Sequence, residues 1–423
     1  MGMIHSLLTN RGYLHVGAFH RSIGYPVKNA RVRITARGNS DIIMEELFTD
    51  SAGQSPVVDL PAPPAEFSLN ESIGFGLKPY SEYDVDIFAD GFNPVKIEGV
   101  QVFPDIRSIQ DVMLNELSGP VGDREIIIIT IGDNTLYGNY SPKIPEEDVK
   151  ELPPPQGFVV LPYPVIPEFI IVHMGAPGNK NAPRHWVLFK DYIKNVASSE
   201  IYATWPDQTL RANIHAIISF TLNRVYTEWY RGKGFDFTIT NSTQSDQAFT
   251  YGRNIFDTIS RVVDETFMHY ATRPDIKQPL LTQCCDGRRV RCPGWLSQWG
   301  SKDLGVQGYS AINILKYYYG MDIFLMQAPR VEGVPASFKG VNLQVGSTGQ
   351  DIRVIQEQIS AISRNFPLIK RVRADGIFGQ ETRESVTTFQ NVFNLRPSGI
   401  VDFPTWYRIS DIYVAVTRIA ELR

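Results

Sequence analysis

The chain has 423 residues, which predicts two or three domains, because a single hydrophobic core stops growing at roughly 250–300 residues. Hydrophobic residues make up 43% and charged residues 20%, values near the globular average that exclude wholesale disorder. No apolar run reaches the roughly 18–20 residues of a membrane helix, so we expect no membrane span. The start, MGMIHSLLTNRGYL, lacks a basic region followed by an apolar stretch, so we expect no standard signal peptide.

The net charge of −4 is unevenly distributed along the chain. Residues 1–118 carry 9 basic and 15 acidic side chains, and residues 119–164 carry 3 and 7. The remaining 29 basic and 23 acidic residues give 165–423 a net charge of +6. The two parts are therefore expected either to attract one another or to carry an ordinary chance imbalance.

Residues 1–118 are predicted to form an antiparallel β-sandwich. Short alternating stretches such as GYLHVGAF, ARVRIT and YDVDIFA are separated by turn residues and prolines. Their order resembles that of the transthyretin-like, carboxypeptidase-regulatory-like sandwich, an accessory module. No catalytic constellation is visible in this region.

Residues 119–165 are predicted to be an extended connector. The apolar EIIIITI is followed by a stretch dense in proline and acidic residues, PKIPEEDVKELPPPQGFVVLPYPVIPEF. Proline fixes the backbone and removes hydrogen-bond donors, and exposed segments of this kind are readily cut by proteases. The stretch is either a plain linker or the site of an activating cleavage.

Residues 166–335 are predicted to form an α+β domain. Apolar residues at helical spacing predict helices over 208–230, with Asp207 as the N-terminal cap, over 254–271 and over 311–319. The stretches FIIVHM and FDFTIT read as strands.

Residues 336–423 are predicted to form a compact three-helix module. Gly-rich turns precede two helices, and the motifs ADGIFGQET and SGIVDFPTW follow in order. These motifs resemble the peptidoglycan-binding domain that is appended to cell-wall hydrolases. The resemblance spans nearly the whole module and implies glycan binding by the module as a unit.

Two blocks in the middle domain resemble the sporulation stage II D (SpoIID) family. The first is YIKNVASSEIYATWPDQTLRANIHAI and the second is SQWGSKDLGVQGYSAINILKYYYG, in the order and at the approximate separation of the family. With the sandwich, the connector and the C-terminal module, the domain order resembles that of the clostridial spore cortex-lytic enzymes.

Glu200 falls on the position of the catalytic glutamate of that family. The resemblance implies a lytic transglycosylase that cleaves the muramyl–glucosaminyl bond and leaves an anhydromuramyl end. One carboxyl can serve twice in this reaction, first as the acid and then as the base, whereas most glycosidases use two carboxyls. The possible second carboxyls are Asp191, Asp207, Asp246 and Asp286.

Four further residues are candidates for substrate binding. Ser297 and Gln298 can hydrogen-bond sugar hydroxyl or acetamido groups, and Trp299 and Tyr202 can stack on a sugar face. The alternative is that Ser297 and Gln298 form a turn before a helix and that the aromatic side chains belong to the core.

All three cysteines lie in the sequence CCDGRRVRC. Some SpoIID-type proteins bind zinc through a cysteine and a histidine before the Ser-Gln pair, and Cys292 occupies the position of that histidine here. Zinc binding, a Cys285–Cys292 disulfide and free thiols stay open as alternatives. We assign no metal ligand and predict no cofactor.

The leading hypothesis is the precursor of a spore cortex-lytic transglycosylase, located at or near the spore cortex and coat. A germination protease would activate it by removing the prosegment, and cortex peptidoglycan would be its substrate. The alternatives are a non-catalytic glycan-binding activator of a separate amidase and a hydrolytic muramidase or glucosaminidase. No basic stripe is present, so we expect no nucleic-acid partner.

Overall fold

The computed structural model describes residues 10–21, 25–70, 76–117, 126–151, 163–333 and 338–421. The chain divides into two compact units. The first unit is formed by Met1–Ala65, Pro79–Ile131 and Gly333–Arg423, and the second by Glu66–Lys78 and Gly132–Glu332. Within the described ranges, no helix has both the length and the hydropathy needed to cross a bilayer.

The first unit contains a β-sandwich, in agreement with the prediction. Its strands are β1 (Asn10–His20), β2 (Arg31–Ala36), β3 (Asn39–Phe48), β4 (Val58–Ala62), β5 (Ser81–Phe88), β6 (Val95–Val102), β7 (Arg107–Leu114) and β8 (Ile127–Thr130). One sheet places β1 between β4 and β7, and the other has the order β3-β2-β5-β6-β8. The core between the sheets is aliphatic and includes Val16, Ile34, Val85 and Ile97, all fully buried.

Two features of the sandwich differ from the prediction. β1 pairs with β7 in parallel and β6 pairs with β8 in parallel, so the sandwich is mixed rather than purely antiparallel. Hydrophobic alternation does not distinguish the two kinds of pairing, because side chains alternate in both. The second sheet also extends to Thr130, so the fold continues beyond the predicted boundary at residue 118.

The second unit is an α+β fold. Its regular elements are α1 (Glu66–Leu69), β9 (Phe169–His173), β10 (Arg184–Leu188), α2 (Phe189–Glu200), α3 (Asp207–Tyr226), β11 (Ile239–Thr240), β12 (Ile255–Phe256), α4 (Asp257–Thr266), β13 (His269–Thr272), β14 (Cys284–Cys285), β15 (Leu296–Ser297), α5 (Gln298–Val306), α6 (Ala311–Tyr319) and β16 (Phe324–Gln327). Helix α3 lies at the centre, where it contacts α2, α4, α5, α6 and β13. Its side chains are buried on nearly all faces, as expected of a core helix.

The predicted helices of this unit are present, with changed boundaries. Helix α3 ends at Tyr226, four residues before the predicted end. Pro206 occupies the N-cap position and Asp207 begins the helix, where its carboxylate pairs with Arg211 and Arg261 instead of capping the backbone. The helix predicted over 254–271 is confined to α4, because short strands precede and follow it.

Residues 132–151, called the strap below, are built into the second unit, although the sequence predicts a connector. The backbone amide of Ile144 donates to the carbonyl of Gln244, and that of Leu281 donates to the carbonyl of Asp148. Glu146 forms a bidentate ion pair with the buried Arg224, with N–O distances of 2.6 and 3.0 Å. These partners lie far away in the sequence, so the strap is held to the second unit by tertiary contacts.

The C-terminal module has three helices, α7 (Gln350–Ile362), α8 (Gln380–Val392) and α9 (Phe403–Glu421). A buried glutamine in each of the first two helices holds the following loop. Each amide accepts from a glycine N–H and donates to an isoleucine carbonyl and a threonine hydroxyl, at distances of 2.8–3.1 Å. The two sets are Gln356 with Gly376, Ile377 and Thr382, and Gln390 with Gly399, Ile400 and Thr405.

We expect Arg224→Ala to lower the free energy of unfolding of the second unit by about 3–5 kcal/mol, because it leaves the fully buried Asp246 without the arginine that pairs with it. Urea denaturation followed by tryptophan fluorescence measures this, since five of the six tryptophans lie within residues 166–335. The control is Arg261→Ala, whose half-exposed ion pairs contribute about 0–1 kcal/mol. Equal losses in the two variants would contradict the prediction.

Candidate functional site

Glu200 is the last residue of α2, and its side chain is only 3% exposed. The helix is buried along almost its whole length, which fixes the position of its C-terminal end. The helix macrodipole disfavours negative charge at this end. The carboxyl is therefore held in a fixed position at the negative end of the helix dipole.

Two groups contact the Glu200 carboxyl. The backbone N–H of Ala248 donates to Oε1 at 2.8 Å. The Cys284 thiol lies 3.8 Å from Oε2 and donates to it. A buried carboxyl with one firm and one weak donor is suited to exchanging a proton with a bound molecule.

The carboxyl faces a small cavity of about 120 Å³. This is below the roughly 300–1,000 Å³ of typical ligand pockets. Strap residues form one wall, and the lining comprises Thr135, Asn139, Tyr140, Ser141, Pro142, Lys143, Glu200, Thr243, Cys284, Cys285, Asp286, Arg289, Val290 and Gln298. The strap therefore restricts the space next to Glu200.

Backbone hydrogen bonds hold the strap against the end of α2. The amide of Thr135 donates to the carbonyl of Ser199 at 2.9 Å, and its hydroxyl donates to the Glu200 carbonyl at 3.4 Å. The buried side chain of Asn134 donates to the carbonyls of Ser198 and Ile201. Every one of these contacts lies within two residues of Glu200.

Arg289, which also lines the cavity, holds the strap through its guanidinium group. Its guanidinium donates to the carbonyls of Thr135, Tyr137 and Gly138 at 2.6, 3.1 and 2.5 Å. The Asp286 carboxylate holds Arg289 at 2.9 Å and also accepts backbone N–H groups. Asp286 is the second carboxyl of the cavity lining, and these bonds occupy it.

The other three possible second carboxyls, Asp191, Asp207 and Asp246, lie away from the cavity lining. Asp246 is fully buried, where it accepts from Arg224, Tyr230 and Thr240. Asp207 forms the surface ion pairs described above, and Asp191 is exposed in the first turn of α2. None of these three carboxyls lines the cavity.

The structure brings Gln298 next to Glu200 and gives Ser297 a different role. The Gln298 side chain is 5% exposed and lines the cavity, where its amide points to Cys284. Ser297 caps α5, since its hydroxyl accepts from the Gly300 amide at 3.0 Å. Gly287 packs on that hydroxyl at a φ of +78°, and a Cβ there would lie 1.7 Å from it. Ser297 therefore fits the alternative interpretation, in which it forms a turn before a helix.

Tyr202 and Trp299 lie together in a buried aromatic cluster with Trp205. The ring centroids are 5.3–5.8 Å apart, and each side chain is at most 4% exposed. Ser68 of α1 covers the cluster, with its carbonyl accepting from the Trp205 indole at 2.9 Å. In this form of the chain, the two predicted stacking residues belong to the core and do not line the cavity.

Cys285 and Cys292 form a disulfide, with Cα atoms 5.7 Å apart, which selects one of the three alternatives left open by the sequence. Cys284 is a buried free thiol. Across the described residues, no group of three or more His, Cys, Asp or Glu side chains is placed to hold a metal ion.

Sequence reasoning missed Cys284, Arg289 and Lys143 as residues of the site. Lys143 donates to the carbonyls of Thr243 and Asp246, which ties the strap to the loop that carries Ala248. The available signal was the sequence CCDGRRVRC, which was interpreted as zinc ligands, a disulfide or free thiols, with no contact to Glu200 foreseen. The distance of 84 positions between Glu200 and Cys284 gives no local pattern that pairs them.

Comparison with known proteins identifies the C-terminal module. The model of the peptidoglycan binding domain family matches residues 348–409, which contain helices α7 and α8 and the start of α9. The C-terminal helical fold fits such a domain, which supports a cell-wall-associated function with peptidoglycan as a binding partner. No curated protein sequence matches the chain.

Likenesses to solved structures are partial. The TIE protein of Bacillus anthracis matches at 12% identity with a TM-score of 0.18, over 26% of this chain and 17% of that protein. Catechol 1,2-dioxygenase from Acinetobacter sp. ADP1 matches at 16% identity with a TM-score of 0.18, over 28% and 58%. The chain spans less than two thirds of the length of both, and TM-scores this low carry no argument about fold or function.

His215 gives the second unit a pH-dependent stability. It is buried beside His269, and desolvation lowers its pKa from 6.5 to about 3. Because the unfolded chain binds a proton near pH 6.5 and the folded chain does not, the stability from the neutral ring is present above pH 6.5. It is lost as the pH falls toward about 3.

We expect the free energy of unfolding of the wild type to fall more steeply than that of His215→Gln between pH 6.5 and pH 4. The expected difference approaches about 1.4 kcal/mol per pH unit, the value for one proton. Urea denaturation at a series of pH values measures it. Parallel curves for the two proteins would contradict the prediction.

Proposed function

We propose that the chain is the precursor of a peptidoglycan lytic transglycosylase, a spore cortex-lytic enzyme similar to the clostridial SleC, in which Glu200 is the acid and base. The observation that carries this proposal is the single available carboxyl in the cavity. Glu200 is held by one amide and one thiol, whereas Asp286 is occupied by Arg289 and backbone amides. One carboxyl is sufficient for this reaction, whereas the usual glycosidase mechanism needs two.

The reaction needs two proton transfers, and both pass through Glu200. Protonated Glu200 gives its proton to the glycosidic oxygen as the muramyl–glucosaminyl bond breaks. The resulting carboxylate then takes the proton of the muramic hydroxyl, whose oxygen attacks the anomeric carbon and closes the anhydro ring. No water is consumed, and Glu200 returns to its starting state.

The strap supports a latent precursor. The cavity is too small for a disaccharide while the strap forms its wall, so a glycan strand must displace residues 135–143 to reach Glu200. Acidic strap residues pair with basic residues of the same unit, Glu146 with Arg224 and Asp148 with Arg273. In the proposal, a germination protease cuts within 119–165 and the strap then leaves the site. Residues 119–125 and 152–162 of this stretch lie outside the described residues.

The C-terminal module supplies the affinity for the substrate. A bound module raises the effective concentration of the catalytic unit next to glycan strands. In the proposal, the spore cortex is that glycan and germination is the time of cleavage.

We expect Glu200→Gln to abolish glycan cleavage by the activated protein, with a loss of at least about 10³-fold, because the amide cannot donate a proton as an acid. Purified cortex peptidoglycan is incubated with the protein alone, and the fragments are identified by mass spectrometry. Anhydromuramyl ends are the expected product. The control is Glu332→Gln, the same change at an exposed carboxyl that stays in the second unit after the cut and lies outside the cavity lining.

Other products would decide between the alternatives. Reducing muramyl or glucosaminyl ends would indicate a hydrolase, which contradicts the single-carboxyl mechanism. An unchanged sample from an activated wild type that still binds glycan would indicate the non-catalytic activator. Normal turnover by Glu200→Gln would remove the assignment of the catalytic residue.

We expect Arg289→Ala to raise the basal activity of the uncut chain by about tenfold or more. The change removes three hydrogen bonds to the strap, worth about 0.5–1.5 kcal/mol each, and so populates the open cavity. The control is Arg288→Ala at the neighbouring position, where the arginine pairs with Asp303. Release of muropeptides from decoated spores measures both variants, and equal activities in Arg289→Ala and wild type would contradict this role of Arg289.

A further inference from the structure

The Cys284 thiol is the contact of Glu200 that the proposed mechanism leaves without a role. It is the free cysteine of the chain, it is buried, and its Sγ atom lies 3.8 Å from Oε2 of Glu200. The same sulfur lies 3.8 Å from Nε2 of Gln298, which donates to it. The hydrogen bonds thus run in one direction. The Gln298 amide donates to the Cys284 thiol, and the thiol donates to the Glu200 carboxyl.

The directions of these contacts follow from the donor chemistry. The Gln298 Nε2 group only donates, so the sulfur accepts from it, and the single thiol hydrogen is left for Glu200. Burial, together with the nearby Glu200 charge, raises the pKa of Cys284 to about 12, so the sulfur keeps its hydrogen at neutral pH. A protonated thiol is a weak donor and a poor nucleophile.

The backbone fixes the thiol at this position. β14 and β15 pair in parallel, with Cys284 opposite Leu296 and Cys285 opposite Ser297, which places Gln298 directly after the paired strand. The disulfide anchors the neighbouring Cys285 to Cys292. Cys284 therefore sits on a paired strand next to a cross-link, an arrangement suited to holding another side chain in place.

We propose that Cys284 is a positioning residue for Glu200, which keeps Oε2 directed into the cavity in both of its protonation states, and that Gln298 acts through Cys284. The proposal rests on the proposed function. When Glu200 is ionised, the thiol donates to Oε2. When Glu200 is protonated on Oε2, the sulfur can accept instead, because a thiol is both a donor and an acceptor.

The other oxygen of Glu200, Oε1, has a neighbour that can donate a hydrogen bond but cannot accept one. Oε1 faces the amide of Ala248, which only donates, so the transferable proton belongs on Oε2. A group whose carboxyl must gain and lose a proton in each turnover needs a neighbour that tolerates both states. Cys284 meets this need, and an alanine at this position does not.

The first test detects the contact itself in the full-length chain, without any measurement of activity. The S–H stretching band of the one free thiol is recorded by infrared spectroscopy and assigned with Cys284→Ala. In Glu200→Gln the amide oxygen must face Ala248, so its NH₂ group faces the sulfur and the S–H loses its acceptor. The band is recorded over a pH series that extends to alkaline samples in which Glu200 is ionised. There we expect it to lie at higher frequency in Glu200→Gln than in wild type, and to stay in place in the control Glu147→Gln. An identical band in wild type and Glu200→Gln throughout the series would overturn the proposal.

The second test measures the role in turnover with the activated protein. We expect Cys284→Ala to lower kcat by about tenfold with KM unchanged, because the role of the thiol is to orient the acid and not to bind the glycan. Cys284→Ser restores a group that both donates and accepts and should recover most of the loss. A wild-type kcat in Cys284→Ala, or no recovery in a folded Cys284→Ser, would overturn the positioning role.

The two tests separate this inference from the proposed function. If the wild-type chain fails to cleave glycan, the proposed function fails, and the role of Cys284 in turnover fails with it. If the chain cleaves glycan normally and the S–H band is insensitive to Glu200→Gln, the positioning role fails alone. If the Cys284→Ala protein is destabilised, the Glu200→Gln spectrum and the Cys284→Ser kinetics still test the positioning role.

Discussion

The burial of one carboxyl at the C-terminal end of a helix is the constraint on which the rest of the second unit depends. A buried ionisable group without partners is strongly destabilising. Glu200 finds its firm partner in the amide of Ala248, so the loop that carries Ala248 must be rigid. Asp246, two residues earlier, provides that rigidity, since it is fully buried and accepts from Arg224, Tyr230 and Thr240.

The buried Arg224 also links the strap to the site. Arg224 pairs with Asp246 through Nε and with Glu146 of the strap through both terminal nitrogens. One buried guanidinium thus holds the loop beside Glu200 and the segment that closes the cavity. Because removing Glu146 would leave the arginine charge with Asp246 as its acidic partner, the loop can keep its shape when the strap is displaced. Under the proposed function, the precursor would therefore be latent without the residues around Glu200 having to be rebuilt on activation.

The parts of the fold governed by local pattern were predictable from the sequence. The periodicity of helix α3 and the two Gly-rich turns of the C-terminal module gave the correct elements, because these depend on neighbouring residues. Glu200 and Gln298 were identified through motifs, and the structure brings them into one cavity. The parallel strand pairs and the bonds from the strap depend on partners far away in sequence, so no local pattern encodes them. Tyr202 and Trp299 lie in the core, although we expected them to bind sugar. The sequence alone does not distinguish an aromatic side chain of a core from one of a binding site.

The role of Glu200 can be tested by a crystal structure of Glu200→Gln, cut within residues 119–165 and bound to a peptidoglycan tetrasaccharide. We expect a muramyl–glucosaminyl linkage with its glycosidic oxygen within hydrogen-bond distance of the side chain at position 200, and residues 135–143 displaced from the cavity wall. Sugar bound to the C-terminal module alone, with the strap still closing the cavity, would contradict it.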